Sequence, residues 1–198
     1  MMKLVEFNEP FQKFSIWLDE ACAKKEIIEP TAMCLASVGE NGAPSARMIL
    51  LKTFDERGFC FFTNFTSRKA QQLAKNSHAA LCFYWGILGR QIRIEGVVEE
   101  VSKIEADDYF ASRRRGSQIG AWASKQSQEM QNWQEFLDRI SAEEKKFAGK
   151  EVARPHFWSG FRLVPKNIEF WQEGEFRLHR RDLFERAADG WNVKIIYP

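Results

Sequence analysis

Polar and apolar positions change their period several times along the chain, and each change marks an element. Over "NEPFQKFSIWLDEACAKK" the apolar residues Phe11, Phe14, Leu18, Ala21 and Cys22 recur at helical spacing, as on a helix with one buried face. Asn8 can cap it and Pro10 suits its first turn, so a first helix is predicted over about residues 8–24. From Ala32 the pattern becomes that of strands, "TAMCLASV" and "SARMILLKTF", divided by "GENGAP", whose Asn41-Gly42 pair is a hairpin signal. "GFCFFTN" adds a third strand, and a short helix, "TSRKAQQLAKN", opens at Thr66 or Ser67, either of which can cap it.

"AALCFYW" and "RQIRIEGVVEEV" read as two more strands joined across "GILG", and "SKIE" from Ser102 to Glu105 has the capping-box pattern of a new helix. A longer amphipathic helix is expected from about Ser127 to Phe147, with Met130, Trp133, Phe136, Leu137 and Ile140 on one face. After "GKEVARPH", the segments "FWSGFRLV", "NIEFWQEGEFRLHRR" and "WNVKIIYP" alternate as strands, with turns at Gly174 and Asp189-Gly190. Six or more mostly antiparallel strands with peripheral helices imply a mainly β fold, a small barrel closed so that no edge is left bare. The 198 residues contain no repeat or convincing linker and are read as a single domain.

Composition narrows the function classes. Apolar residues make up 44% and charged residues 28%, ordinary for a folded domain. A net charge of +2 supplies no field to drive the chain onto a polyanion, so nucleic acid is not an expected partner. No apolar run is long enough to span a membrane and the amino terminus lacks a secretory signal; a cytoplasmic protein is expected. Cys22, Cys34, Cys60 and Cys82 are widely spaced in sequence without a C-x-x-C pair, and His78, His156 and His179 lack ligand spacing, so reduced thiols and no metal site are expected.

The two commonest nucleotide-phosphate cradles, G-x-G-x-x-G after a strand and the Walker A sequence, are absent. Ser67, Arg68 and Lys69 fall in the first turn of a helix, where free N–H groups and the dipole favour an anion; extension of both cations into water is the alternative. Arg47 and Lys52 end the apolar strand "RMILLK", and simple alternation puts them on opposite faces. Either a bulge intervenes or the strand borders a site reached from two sides. In "YFASRRRGSQIGAW", Tyr109 and Arg113 are four apart and share a helix face, with Ser117 in the turn beyond. A phenol, a guanidinium and a hydroxyl can all donate to one phosphate, while Arg114 and Arg115 fall on other faces as solvated or paired charges. In "EFRLHRR", Arg177, His179 and Arg181 alternate to one side of a strand near Trp171, with Phe176 and Leu178 on the other.

The motifs "RMILLK", "FFTNFTSRK", "RQIRIEG", "YFASRRRGSQIGAWASKQS" and "FWQEGEFRLHRR" resemble, in order, the signatures of pyridoxamine 5'-phosphate oxidases, over nearly the whole chain after the first helix. The resemblance implies an FMN-binding split β-barrel, homodimeric, with the flavin at the subunit interface. It implies oxidation of pyridoxamine or pyridoxine 5'-phosphate to pyridoxal 5'-phosphate, with O2 as acceptor and H2O2 as product. Carried over by motif, Arg47, Ser67, Arg68 and Lys69 hold the FMN phosphate. Met48, Ile49, Leu50, Leu51 and Lys52 follow the flavin, and Phe62, Thr63, Gln91, Gln126, Ser127, Trp171 and Arg181 match the remaining cofactor positions, some across the dimer. Lys52, Tyr109, Arg113 and Ser117 match the substrate-phosphate set, and Arg177 and His179 the catalytic residues over the pyridine ring. Phe62 stands where the family often has tyrosine and Arg180 where aspartate is common; nothing before Asn8 matches the arginine- and tyrosine-bearing segment that members carry. The other readings of these residues are a related flavin oxidase of a small aromatic such as a phenazine precursor, and a non-enzymatic flavin- or haem-binding split barrel.

Overall fold

The computed structural model describes residues 3–6 and 8–198. Its strands are β1 (Lys3–Val5), β2 (Ala32–Val38), β3 (Pro44–Leu50), β4 (Thr53–Asp55), β5 (Gly58–Asn64), β6 (His78–Trp85), β7 (Arg90–Glu100), β8 (Trp158–Gln172), β9 (Arg180–Ala187) and β10 (Gly190–Ile196). They form one curled sheet in the order β1-β10-β9-β8-β7-β6-β2-β3, with β5 also on β8 and β4 on β5. Every pairing is antiparallel. The short strands β1 and β4 have too few alternating positions to register in the sequence pattern.

The two halves of β8 have different neighbours. On one side β7 runs along it from Phe161 to Gln172, while on the other β5 pairs with Trp158–Leu163 and β9 with Asn167–Gln172. The register slips between Glu95 and Gly96, a bulge that bends the hairpin where the partner changes. A Cβ on Gly96 would stand 2.1 Å from the Val164 carbonyl oxygen, so only glycine permits the approach. The sheet is therefore split and not closed by pairing, in place of the closed barrel expected from the pattern: among the described residues β3 pairs only with β2.

Helix α1 (Glu9–Cys22) fills the curl. Asn8 occupies its N-cap position but makes no side-chain cap bond, unlike the expected role, while Pro10 sits in the first turn. Phe14 is fully buried, with ring centroids 4.8 Å from Phe54, 4.9 Å from Phe59 and 5.2 Å from Phe83, each edge-on. α2 (Arg68–Lys75) is capped by Ser67, as predicted. α3 (Lys103–Ser112), α4 (Arg115–Ala123) and α5 (Trp133–Lys146) gather around the start of β8 over a second core of Phe110, Ile119, Val152 and Trp158. α5 is shorter than expected: Ser127 has φ 72°, and Asn132 caps the helix by accepting from Glu135 N at 3.0 Å. Its predicted apolar face is only partly covered, since Met130, Trp133 and Leu137 remain exposed. Among the described residues no helix is long and apolar enough to cross a membrane.

α3 is fixed at its start by charge. The predicted capping box forms, with Ser102 accepting from Glu105 N and Glu105 accepting from Ser102 N. The same carboxylate accepts from Arg162 Nη2 at 2.5 Å and Arg57 Nη2 at 3.2 Å. The Ser102 amide first, then Arg162, hold Glu105 down to about 2. Further along, Arg154 Nε donates to Asp107 at 2.6 Å and its Nη1 to the Trp158 carbonyl at 2.6 Å, tying α3 to the head of β8.

Two outcomes follow from this packing. Phe14→Ala is expected to destabilise the fold by about 3–5 kcal/mol, the usual cost of emptying a fully packed phenylalanine site, read from the denaturant midpoint. Because the folded carboxyl of Glu105 lies below its unfolded value near 4.5, its stabilisation is complete above that pH and is lost as pH falls towards 2. Glu105→Gln, which can still complete the capping box, is expected to show a shallower fall of Tm across that window than the unaltered chain.

Candidate active site

A cleft of about 990 Å³ opens between β3, the end of β5, the start of α2, and the α3–α4 corner. The chain path at "RMILLK" explains how Arg47 and Lys52 both reach it. β3 ends at Leu50; Leu51 N donates to the Thr31 carbonyl and Lys52 N to the Cys60 carbonyl. The strand thus passes from β2 towards β5, and the alternation that would oppose the two side chains stops there. Met48, Ile49 and Leu50 line the cleft between them. Leu51 is buried in the main core, so it meets the cleft wall from behind.

At one side stand Arg47, Arg68 and Lys69. Arg47 donates from Nη1 to the Leu35 carbonyl (3.1 Å) and Ser37 Oγ (2.7 Å), and from Nη2 to Ser45 Oγ (2.6 Å) and Gln72 Oε1 (3.2 Å). Its partners are all neutral, so its direction is fixed while its charge is left uncompensated. Lys69 Nζ donates to Thr63 Oγ1 at 3.1 Å and Gln126 Oε1 at 3.3 Å. Burial lowers the pKa of Arg47 and of Lys69, and the neighbouring cation adds to it in each case. Ser67 does not line the cleft: it is fully buried and its hydroxyl accepts from Ala70 N as the cap of α2.

The other side is built by the α3–α4 corner. Tyr109 stacks on Phe62 with centroids 4.0 Å apart, and Phe62 stacks on Trp158 at 5.6 Å. Arg113 is not on a helix face with Tyr109, as the spacing predicted. It is the C-cap of α3 in an extended conformation, and Ser117 lies in the first turn of α4 instead of a loop. The sharp exit is stabilised by Gln118, whose Nε2 donates to the Phe110 carbonyl at 3.0 Å. Arg113 lies 4.7 Å over the Trp158 ring, and its buried Nη1 has no hydrogen-bond partner among the described residues. Burial lowers the pKa of this guanidinium, an arrangement that costs stability unless an anion meets it. Lys52, Tyr109, Arg113 and Ser117 are brought to one cleft with Phe62, Thr63, Gln126 and Ser127.

The three arginines have separate fates. Arg115 is structural, donating to the Lys150 and Phe147 carbonyls. Arg114 is exposed, as expected, and also lines the cleft. Asn64, Ala121, Ser124 and Trp158 also line it and were not singled out in the sequence, because they carry no charge pattern and enter through the α4 and β8 packing. Among the described lining residues there are six cations, Arg47, Lys52, Arg68, Lys69, Arg113 and Arg114, and no carboxylate. That donor set fits a ligand or ligands carrying phosphate.

Gln91, Trp171, Arg177, His179 and Arg181 do not line this cleft. Gln91 pairs across the sheet with Trp171, and Trp171 with Arg181. His179 packs 4.5 Å from the Trp171 ring and its Nδ1 accepts from Gly174 N at 3.3 Å. Arg177 and His179 are not on a strand as expected. Residues 175–177 form a 3-10 turn with Phe176 at φ 54° and Arg177 at φ 64°, and β9 starts only at Arg180. A Cβ on Gly174 would stand 2.2 Å from the Leu178 carbonyl oxygen, so glycine allows the loop to fold back on itself. Arg181 grips the buried Glu169 with both Nε (2.8 Å) and Nη2 (3.0 Å). Arg180 pairs with Asp182, which also accepts from Lys13 of α1 at 2.6 Å. Among the described residues no group of three His, Cys, Asp or Glu could hold a metal ion.

Residues 19–146 match the family model described as pyridoxamine 5'-phosphate oxidase, and residues 158–198 match that of the pyridoxine 5'-phosphate oxidase C-terminal dimerisation region. The pyridoxine/pyridoxamine 5'-phosphate oxidase of Myxococcus xanthus is 50% identical over 191 residues, 96% of this chain and 92% of that protein. That of Psychromonas ingrahamii is 48% identical over 195 residues, 98% of this chain and 89% of its own. Among solved structures, PhzG from Burkholderia lata in complex with tetrahydrophenazine-1-carboxylic acid superposes with a TM-score of 0.87 at 30% identity, covering 98% of this chain and 93% of that one. A pyridoxamine 5'-phosphate oxidase-related, FMN binding protein from Nostoc punctiforme shares the fold, with a TM-score of 0.75 at 17% identity, covering 96% and 98% of the two chains. By sequence over nearly its whole length, and by fold, this chain belongs to the pyridoxamine 5'-phosphate oxidase family.

Proposed function

We propose that the chain binds FMN and oxidises pyridoxamine or pyridoxine 5'-phosphate to pyridoxal 5'-phosphate in the cytoplasm, with O2 as the electron acceptor and H2O2 as product. The observation that carries this reading is the cleft that gathers six cations and no carboxylate. Arg47 and Lys69, whose hydrogen-bond partners are neutral, suit the FMN phosphate together with Arg68, and Met48 to Leu50, Phe62, Thr63, Gln126 and Ser127 line the space for its ring system. When bound, the flavin supplies the hydride acceptor.

Lys52, Tyr109, Arg113 and Ser117 suit the second phosphate, that of the substrate. Arg113 brings an unpaired, partly desolvated guanidinium to it, and fixing the phosphate converts binding energy into orientation of the pyridine ring. The stacked Phe62, Tyr109 and Trp158 rings keep water from that side. An unphosphorylated substrate has no use for all four donors, which favours this reading over a phenazine-type substrate.

Arg177, His179, Trp171, Gln91 and Arg181 belong to the same site in a homodimer, delivered by a second copy. Trp158, in the cleft wall, and Trp171, against His179, lie on the single strand β8. At about 3.3 Å per residue their separation along the strand is on the order of 40 Å, so one protomer does not fold its own second cluster onto its own cleft. The match of residues 158–198 to a dimerisation region supports the same arrangement.

The purified protein is expected to be yellow, to release FMN on denaturation, and to bleach with pyridoxamine 5'-phosphate in the absence of O2, recovering on aeration. A yellow protein that does not bleach would overturn the substrate, and one that takes up no FMN would overturn the cofactor. Arg113→Ala is expected to raise KM for the phosphorylated substrate about 10- to 100-fold, the worth of a hydrogen-bonded charge, with a smaller change in kcat. Arg177→Leu and His179→Ala are expected to slow flavin reduction in stopped flow while FMN stays bound; unchanged rates in both would remove these residues from the chemistry.

A further inference from the structure

No glycine or proline stands where α3 stops. The residues after Ser112 are Arg113, Arg114 and Arg115, all good helix formers, yet the helix ends and Arg113 turns to an extended conformation, φ −72° and ψ 148°. The stop is supplied by the next helix. Gln118 of α4 reaches back with both hydrogens of its amide, Nε2 donating to the Phe110 carbonyl at 3.0 Å and to the Ala111 carbonyl at 3.3 Å. These carbonyls lie in the last turn of α3, which has no intrahelical donors of its own. Had the helix run on, they would accept from the Arg114 and Arg115 amides. Gln118 stands in for the two bonds that continuation would form.

We propose that Gln118 is a positioning residue for the substrate phosphate, acting through Arg113. The inference rests on the proposed assignment of Arg113 to that phosphate. The Arg113 side chain touches the Trp158 and Phe110 rings, at 4.7 and 5.6 Å, and its buried Nη1 has no hydrogen-bond partner among the described residues. Its direction is therefore set by the backbone it leaves from, and Gln118 sets that backbone. Gln118 itself does not line the cleft. Without its amide the Ala111 carbonyl loses this donor, and Phe110 keeps only the 3.2 Å bond from Arg113 N. The last turn of α3 then loosens, and Arg113 faces the cleft for a smaller fraction of the time. Apparent affinity falls with that fraction.

The effect is confined to the end of α3, because α4 is held by other contacts. Arg115 donates to the Lys150 and Phe147 carbonyls, Trp122 Nε1 donates to the Ala153 carbonyl at 2.8 Å, and Ile119 is buried in the second core. Ser117 accordingly keeps its place when Gln118 is changed. Arg47, Arg68 and Lys69 belong to β3 and α2 and are untouched.

The test reads binding in place of turnover. Pyridoxal 5'-phosphate, the product of the proposed reaction, is titrated calorimetrically into the FMN-loaded protein. Gln118→Met, which keeps the reach of the side chain and loses both donors, is expected to weaken binding about 3- to 30-fold, the worth of one to two hydrogen bonds, while the affinity for FMN stays the same. In an Arg113→Ala background the same change is expected to have no further effect, as for two residues that act through one contact. Gln118→Glu, which keeps the shape and turns an acceptor towards the two carbonyls, is expected to weaken binding too, and decides the question if the methionine variant folds poorly. Unchanged affinity in both variants, full additivity with Arg113→Ala, or an equal loss of FMN would each overturn the inference alone. An unaltered chain that takes up FMN and no pyridoxal 5'-phosphate would overturn the substrate reading, and this inference with it.

Discussion

The double pairing of β8 is the constraint on which the other features depend. A strand buried on both sides must have its backbone groups satisfied throughout its length, and β8 does this by keeping β7 on one side and exchanging β5 for β9 on the other. The exchange forces the curl to open at the Gly96 bulge. It also sends the beginning of the strand, with Trp158, under the α3–α4 corner, and its end, with Trp171, out towards β9 and the His179 loop. The cleft wall and the His179 loop thus hang from opposite ends of one element, the separation that the proposed homodimer would bridge.

Charge divides the arginines into two kinds. Arg154, Arg162, Arg181 and Arg180 meet carboxylates and hold helices or strand ends in place. Arg47 and Arg113, equally oriented, meet only neutral acceptors, an aromatic face or nothing. A guanidinium held without a counter-charge is costly in the free protein, and under the proposed function a phosphate would return that cost. The paired set fixes the geometry in which the unpaired set is presented to the cleft: Glu105 and Arg162 anchor the start of α3, and Arg154 ties its middle to the Trp158 carbonyl. On the outer face of β2, β3 and β6, by contrast, the adjacency of Cys34, Met48 and Cys82 follows from register alone.

Local patterning in the sequence determined the helices α1, α2 and α3, the Ser67 cap, the Ser102–Glu105 capping box, the β2–β3 hairpin and the strands β5 to β7, because each depends on residues within a few positions of one another, whereas the two segments read at "FWSGFRLV" and "NIEFWQ" are one continuous strand, β8, Trp158–Gln172. The ordered motifs also identified most of the cleft: Arg47, Lys52, Phe62, Thr63, Arg68, Lys69, Tyr109, Arg113, Ser117, Gln126 and Ser127 come together there. Tertiary structure alone decided the rest. Alternation put Arg47 and Lys52 on opposite faces, and only the shift of the chain from β2 to β5 after Leu50 sets both on the cleft. Helical spacing joined Tyr109 to Arg113, but Gln118 and the Trp158 ring end the helix before Arg113 reaches it. The strand expected at Arg177 and His179 gives way to left-handed residues because Gly174 lets the loop close on Leu178. Pairing partners, the split of the sheet, and the meeting of Cys34 with Cys82 depend on contacts between residues far apart in the chain, which no local period encodes.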